Sequence, residues 1–288
     1  MIEVEKLSND NMNDYYGLLT KAKEKNKFIK DFSSFYDGKS FIYRYLIRKT
    51  IFLIKFNNLF IGYIWCDVLT SESVKLHDIY IDERYIKYFT GKLMLILKTK
   101  IVTIESFENS NTLLLFKALD MIRIRITYLM KYDIKPLEKL SLPDNIKFRL
   151  YKNKKDAVIR CVLQNKIFYS NSRVPLTVDD IYYDEKQDYY LDDLSVFICA
   201  DDIEIGYGQI INSRGMYQIV NFGILKEYRG LGYGKLLLNR LKALAFKKGV
   251  QDNLYIRVDI NNKPAYNLYS SCDFVEVGKF STWMWAKE

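Results

Sequence analysis

The sequence contains one pattern twice. Phe52-Leu53-Ile54-Lys55-Phe56-Asn57-Asn58-Leu59-Phe60-Ile61-Gly62-Tyr63 reads as a strand, a two-residue turn and a second strand. Val196-Phe197-Ile198-Cys199-Ala200-Asp201-Asp202-Ile203-Glu204-Ile205-Gly206-Tyr207 repeats it, with Asp-Asp in place of Asn-Asn and Ile-Gly-Tyr closing both. Turn-forming pairs between apolar runs signal a hairpin. Farther on, Ile81-Asp82-Glu83-Arg84-Tyr85 aligns without a gap on Ile224-Leu225-Lys226-Glu227-Tyr228, which sets Gly91-Lys92 on Gly234-Lys235. Asn109, Phe116, Asp120 and Met121 then keep the spacing of Asn262, Tyr269, Asp273 and Phe274. Three matches in one order predict two homologous domains, residues 1–135 and 145–288, joined by a linker at 136–144 that contains two prolines.

Each copy reads as a strand, one or two helices, three strands, a helix, a strand, a helix and a closing strand pair. In the second copy the strands fall near Lys147–Tyr151, Leu194–Ala200, Glu204–Asn212, Tyr217–Ile224 and Leu254–Ile260, with a closing hairpin over Phe274–Trp285. Helices are expected near Lys155–Ile167, Val178–Tyr183, Gly232–Lys248 and Lys263–Ser271. The expected fold class is α/β (α+β): two tandem domains, each a mixed, mainly antiparallel central sheet flanked by helices.

A chain of 288 residues that is 49% apolar has ample material for two cores. The formal net charge of +9 comes from lysines spread along the chain rather than gathered into a stripe, and no nucleic-acid module is visible, so nucleic acid is not an expected partner. The four cysteines stand far apart without a CxxC pair, and His77 is the single histidine. That usage predicts neither a disulfide framework nor a metal site, and it excludes a Ser-His-Asp triad in the second copy. No apolar run reaches the roughly 18 residues of a membrane span, and the first residues do not read as a signal peptide. A cytoplasmic protein without a membrane partner is expected.

The chemistry-bearing segment is Arg229-Gly230-Leu231-Gly232-Tyr233-Gly234-Lys235, which follows a strand and opens a helix. Glycines let backbone approach a ligand, and a helix N-terminus offers unpaired N–H groups and partial positive charge, a combination that suits a pyrophosphate. Taken alone, such a segment is equally a glycine-rich helix entry without a ligand.

The run Ile224–Gly234 resembles motif A of the GNAT superfamily of N-acetyltransferases. Asn262-Lys263-Pro264-Ala265-Tyr266-Asn267-Leu268-Tyr269-Ser270-Ser271-Cys272-Asp273-Phe274 resembles the same family's later Asn-x-x-Ala-x-x-Leu-Tyr-x-x-x-Gly-Phe pattern. Lys226 stands where the family often has Pro, and Asp273 where it usually has Gly. The resemblance implies a tandem GNAT repeat that uses acetyl-CoA (coenzyme A). Backbone groups of Phe222, Gly223 and Ile224 would hold the pantetheine arm and acetyl group. Arg229, Gly230, Leu231, Gly232, Tyr233, Gly234 and Lys235 would cradle the pyrophosphate, Asn262 would contact the cofactor, and Tyr269 would act as general acid. A phenol of pKa about 10 is protonated at neutral pH and suits that role. The strand Tyr217–Ile224 lacks a carboxylate, so Asp259 on the next strand is the base candidate, with Glu204 or a water relay as alternatives.

The implied activity is transfer of an acetyl group to a primary amine by direct attack; the alternative is a non-catalytic GNAT scaffold that senses acyl-CoA or holds a partner. The acceptor would be a small-molecule or peptide amine. Asp179, Asp180, Asp184, Glu185, Asp188, Asp192 and Asp193, interleaved with tyrosines, suggest attraction of a cationic amine, although a solvated helix face and loop would read the same. In the first copy Ile86, Lys87 and Phe89 replace Arg229, Gly230 and Gly232, and Phe116 replaces Tyr269. That copy is expected to keep the fold with its cofactor site closed, in a monomer or homodimer.

Overall fold

The computed structural model describes residues 2–137, 141–171, 173–213, 215–250 and 253–287. Contacts divide the chain into two compact units, Met1–Thr127 with Gly278–Glu288, and Tyr128–Val277. The first unit runs β1 (Ile2–Lys6), α1 (Met12–Lys25), α2 (Phe32–Tyr36), α3 (Phe41–Arg48), β2 (Ile51–Phe56), β3 (Leu59–Thr70), β4 (Ser73–Ile81), β5 (Ile101–Phe107), α4 (Ser110–Ala118) and the start of β6 (Ile122–Asp133). The second carries β7 (Ile146–Leu150), α5 (Ala157–Ile167), α6 (Val178–Asp184), β8 (Ser195–Ala200), β9 (Ile203–Ser213), β10 (Met216–Ile224), α7 (Tyr233–Lys247), β11 (Asn253–Asp259), α8 (Lys263–Ser270) and the start of β12 (Val275–Ala286).

Both predicted hairpins are present. Asn57-Asn58 and Asp201-Asp202 join β2 to β3 and β8 to β9, all four with positive φ between 47° and 68°. Two consecutive positive-φ residues make the turn whose twist matches flanking strands, and Asn and Asp tolerate that region best after glycine. Strand order is β1-β2-β3-β4-β5-β12 in the first unit and β6-β11-β10-β9-β8-β7 in the second. The pairs β4–β5 and β10–β11 are parallel; β1–β2, β2–β3, β3–β4, β5–β12, β7–β8, β8–β9 and β9–β10 are antiparallel. Each unit is thus a mixed, mainly antiparallel sheet with helices.

Side-chain alternation explains why both faces are covered. Along β8, Val196, Ile198 and Ala200 enter the core beneath α7, while Phe197 and Cys199 enter the one beneath α5. All four cysteines are buried thiols.

Two expectations need correction. The closing hairpin over Phe274–Trp285 is instead a single strand, β12, whose far half pairs with β5 from Phe280↔Phe107 to Ala286↔Ile101. The far half of that strand is extended because its partner is distant in sequence. In the first copy the apolar pattern after Gly91 forms a 3-10 helix, Gly91–Leu97, where the second copy has the 15-residue α7. The compact units also cut the chain differently from the repeat, because β6 and β12 each begin in one unit and end in the other. Of the expected linker 136–144, residues 138–140 lie outside the described residues.

Candidate active site

In the second unit the parallel pairing of β10 with β11 runs from Tyr217↔Leu254 only to Ile219↔Ile256. Both strands continue past that point, so they part. On its other side β10 is irregular between Val220 and Gly223, with Asn221 at φ 52° and its side chain donating to Gln209 Oε1 at 3.2 Å. A bulge of this kind re-aims the residues that follow it. Phe222 and Asp259 each stand three residues beyond the last parallel pair, on the two strands that part.

The Ile224 carbonyl accepts from Arg229 Nε at 2.9 Å rather than from β9, whereas the next residue, Leu225, donates to Ile205. A strand residue's N–H and C=O point to one side, so the Ile224 N–H also points away from β9. Arg229 Nη2 donates to the Ile167 carbonyl at 2.9 Å. This guanidinium therefore ties the end of β10 to the end of α5, and its fork is spent on carbonyls.

The following loop is exposed and turns on Gly230 and Gly232, at φ 81° and 83°, where nothing would meet an added Cβ within 4 Å. The glycines are required by the backbone, and the space over them is open. Gly232 is the N-cap of α7 and provides no side-chain cap. The N–H groups of Gly230, Leu231, Gly232, Tyr233 and Gly234 have no acceptor among the described residues; the first bonds of the turn come from Lys235 and Leu236 to the Gly232 carbonyl. An uncapped row of amides at the start of a long helix is an anion cradle. Gly223 has a different constraint: its Cβ would lie 2.3 Å from Ile167 Cγ2.

Tyr269, on α8, is 6% exposed, and its ring meets Phe222 edge-on at 5.8 Å between centroids. Its hydroxyl has no hydrogen-bond partner among the described residues, and burial pushes the phenol well above its ordinary value. Asn262 is the N-cap of α8, its side chain accepting from Ala265 N–H at 3.2 Å. Asn109 caps α4 in the same way, with Thr112 completing a capping box. Asp259 shapes the turn before α8, accepting from Asn261 N–H through its carboxylate and from Asn262 N–H through its carbonyl. Asp273 has φ 66° and follows α8, which explains why the family's glycine is replaceable here: Asp is among the residues that tolerate a left-handed helix end.

The acidic segment is engaged from within. Asp184 pairs with Arg160 Nη2 at 2.5 Å and accepts from Tyr189. Glu185 accepts from Tyr151 Oη, Asp180 completes the α6 capping box with Thr177, Asp192 accepts from Asn153, and Asp193 pairs with Lys248. Sequence spacing hid this, since Arg160 and Lys248 are far from the acids they meet.

The first unit keeps an opening at the same place in its fold. The β4–β5 pairing stops at Leu76↔Ile104, and a cavity of about 260 Å³ beyond it is lined by Asp78, Tyr80, Asp82, Ser106 and Asn109 among others. Its phosphate loop is absent. Phe89 is buried with extended backbone (φ −109°), the Thr90 side chain accepts from Lys92 N–H, and the Asp120 carboxylate accepts from Gly91 N–H at 2.9 Å. Phe116 packs on Trp283 at 5.1 Å.

Residues 166–274, which span the splayed strands, the glycine loop and α8, match the acetyltransferase (GNAT) family. The match covers the two motifs that resemble that family, and the two-unit fold is like that of a tandem GNAT protein. A tandem GNAT protein from the clavulanic acid biosynthesis pathway superposes over 99% of this chain and 98% of its own with TM-score 0.67 at 10% identity, a likeness of fold. N-alpha-acetyltransferase 50 of Danio rerio is 30% identical over 105 residues, 35% of this chain and 61% of that protein. Spermidine N(1)-acetyltransferase of Vibrio cholerae is 34% identical over 76 residues, 26% of this chain and 40% of that protein. The chain thus matches less than two thirds of either relative's length. Among the described residues no helix is long and apolar enough to cross a membrane, and no group of three or more His, Cys, Asp or Glu could hold a metal ion.

Proposed function

We propose that the protein transfers an acetyl group from acetyl-CoA to a primary amine, with the active site in the second unit. The observation that carries this reading is the row of unpartnered amides from Gly230 to Gly234 beside the opening between β10 and β11. The open space over Gly230 and Gly232 suits a pyrophosphate. Acetyl-CoA would supply an activated acyl group there.

The protein's own groups then have distinct tasks. The amides of Gly230–Gly234 bind phosphate oxygens, aided by the α7 N-terminus. Phe222, Gly223 and Ile224 line the opening, and the Ile224 N–H is the donor for a developing oxyanion. Arg229 is a positioning residue, holding β10 and α5 together behind the loop. Tyr269 keeps its proton through neutral and alkaline pH because burial disfavours the phenolate, so it remains able to deliver that proton to a leaving thiolate. Asp259, level with Phe222, is the proposed acceptor of the amine's proton, directly or through water. Asn262 caps α8 with its carbonyl oxygen, which leaves its amide nitrogen for the cofactor.

The relatives' names, an N-alpha-acetyltransferase and a spermidine acetyltransferase, both denote amine acceptors and support a small-molecule or peptide amine here. A cationic acceptor drawn to the acidic segment gains little support, because Asp184, Glu185 and Asp193 already have partners within the unit. The test is release of free thiol from acetyl-CoA by the full chain across a panel of polyamines, amino sugars and peptide N-termini. Amine-dependent release that disappears in Tyr269→Phe is the expected result. Cofactor binding with no release by any amine would favour the sensing scaffold instead.

A further inference from the structure

Polar side chains are uncommon in the middle of a sheet covered on both faces, and Gln209 of β9 is one, at 0% exposure. It stands between Ser195 of β8 and Val220 of β10. Its Oε1 accepts from Asn221 Nδ2 at 3.2 Å and from Tyr207 Oη at 3.4 Å, while its Nε2 has no partner among the described residues. A buried amide with an unsatisfied donor is destabilising, so an apolar residue of the same shape would serve the core better. What the glutamine adds is the oxygen offered to Asn221.

Asn221 opens a bulge. Val220 pairs with Gln209 and Gly223 with Tyr207, so Asn221 and Phe222 together stand opposite the single Gly208. A bulge that opens on a left-handed residue usually has Gly there; Asn221 takes φ 52° with a side chain that Gln209 holds. N–H groups alternate between the two edges of a strand, so one extra residue exchanges the edges for everything after it. Without the bulge, Ile224 would turn its N–H toward β9 instead of the opening.

The first copy offers a comparison within the chain. Extending the aligned Ile-Gly-Tyr segments sets Trp65 at the place of Gln209, and Ile81 on Ile224 sets Asp78 at that of Asn221. Trp has no acceptor oxygen, and Asp78 accepts from Tyr63 Oη instead. There the extra residue of the strand falls one place earlier, at His77, because Trp65 pairs with Asp78 and Cys66 with Leu76. The same shift in the second copy would pair Phe222 with Gly208 and carry it out of the bulge.

We propose that Gln209 is a positioning residue for acetyl transfer: it pins Asn221 in the left-handed turn of the bulge and so sets Phe222 and the Ile224 N–H at the opening. This role rests on the second unit being the acetyl-transfer site.

The experiment compares the wild-type full chain with Gln209→Met, Asn221→Gly and the double variant. Thiol release gives kcat and KM, calorimetry gives acetyl-CoA affinity, and thermal melting checks the fold. Met keeps the reach of Gln without its oxygen, and Gly takes a φ of 52° without a side chain. Each single variant should lose roughly 10- to 100-fold in kcat, with acetyl-CoA affinity held within about twofold. The double variant should lose no more than the worse single, because both substitutions break one contact. A wild type that releases no thiol with any amine would overturn the reading of the site and this role with it. With a transferring wild type, unchanged kcat in either folded variant, kcat and affinity falling together, or losses that multiply in the double variant would overturn the role of Gln209 alone.

Discussion

The amide of Gly91 donates to the carboxylate of Asp120 at 2.9 Å. In the other copy the matching pair is Gly234, whose N–H has no partner among the described residues, and Asp273, whose carboxylate lies 3.8 Å from the ammonium groups of Lys135 and Lys242. Both aspartates have positive φ, 53° and 66°, after a helix. The same residue at the same repeat position therefore accepts from the glycine amide in one unit and not in the other.

Removing that internal anion should cost stability without creating a second site. Asp120→Ala leaves the Gly91 amide unsatisfied, at about 1–3 kcal/mol for a part-buried donor. Denaturant unfolding would register this loss, while acetyl-CoA stoichiometry stays unchanged because Phe89 still fills the loop.

Arg229 should matter for binding even though it spends its fork on protein carbonyls. Arg229→Lys offers one compact donor group where two separated carbonyls are held, so one is released. A loss of roughly tenfold in acetyl-CoA affinity is expected by calorimetry, matching a disturbance of about 1.4 kcal/mol in loop position.

Tyr269→Phe should keep acetyl-CoA affinity and the fold while lowering kcat by roughly 10²- to 10⁴-fold, the range for a lost general acid. Since burial raises the phenol above its ordinary value of 10.0, the wild-type rate should show no alkaline decline from Tyr269 near pH 10. Stability follows the same sign. The folded state holds this proton more tightly, so the contribution is complete below pH 10 and fades as pH rises toward the folded value, together with those of the raised phenols Tyr63 and Tyr207. Thermal melting between pH 7 and pH 11 should therefore fall only above about pH 10.

Asp184→Asn should act on stability before it acts on any substrate. Arg160 is 1% exposed, and Asp184 is its charged partner at 2.5 Å. Breaking a buried pair from one side costs about 3–5 kcal/mol. A drop in unfolding free energy of that order is expected; an unchanged melt with a raised KM for the amine would return the acid to substrate recognition.

Local signals in the sequence carried far. The Asn57-Asn58 and Asp201-Asp202 turns and the glycine loop were legible because adjacent residues dictate their backbone. What depends on distant partners was not. The end of β12 is a strand because β5 pairs with it. The acidic segment looked like a substrate lure because its cations come from other elements. Asn109 and Asn262 matched between copies, and the reason common to both is helix capping.

The most direct test of the account is calorimetric titration of the full chain with acetyl-CoA, for the wild type and for Gly232→Phe, which places the first copy's Phe89 at a φ of 83° in the second. One site per chain, lost in the variant while its melting transition persists, is the predicted result. Two sites, or undiminished binding by the variant, would contradict it.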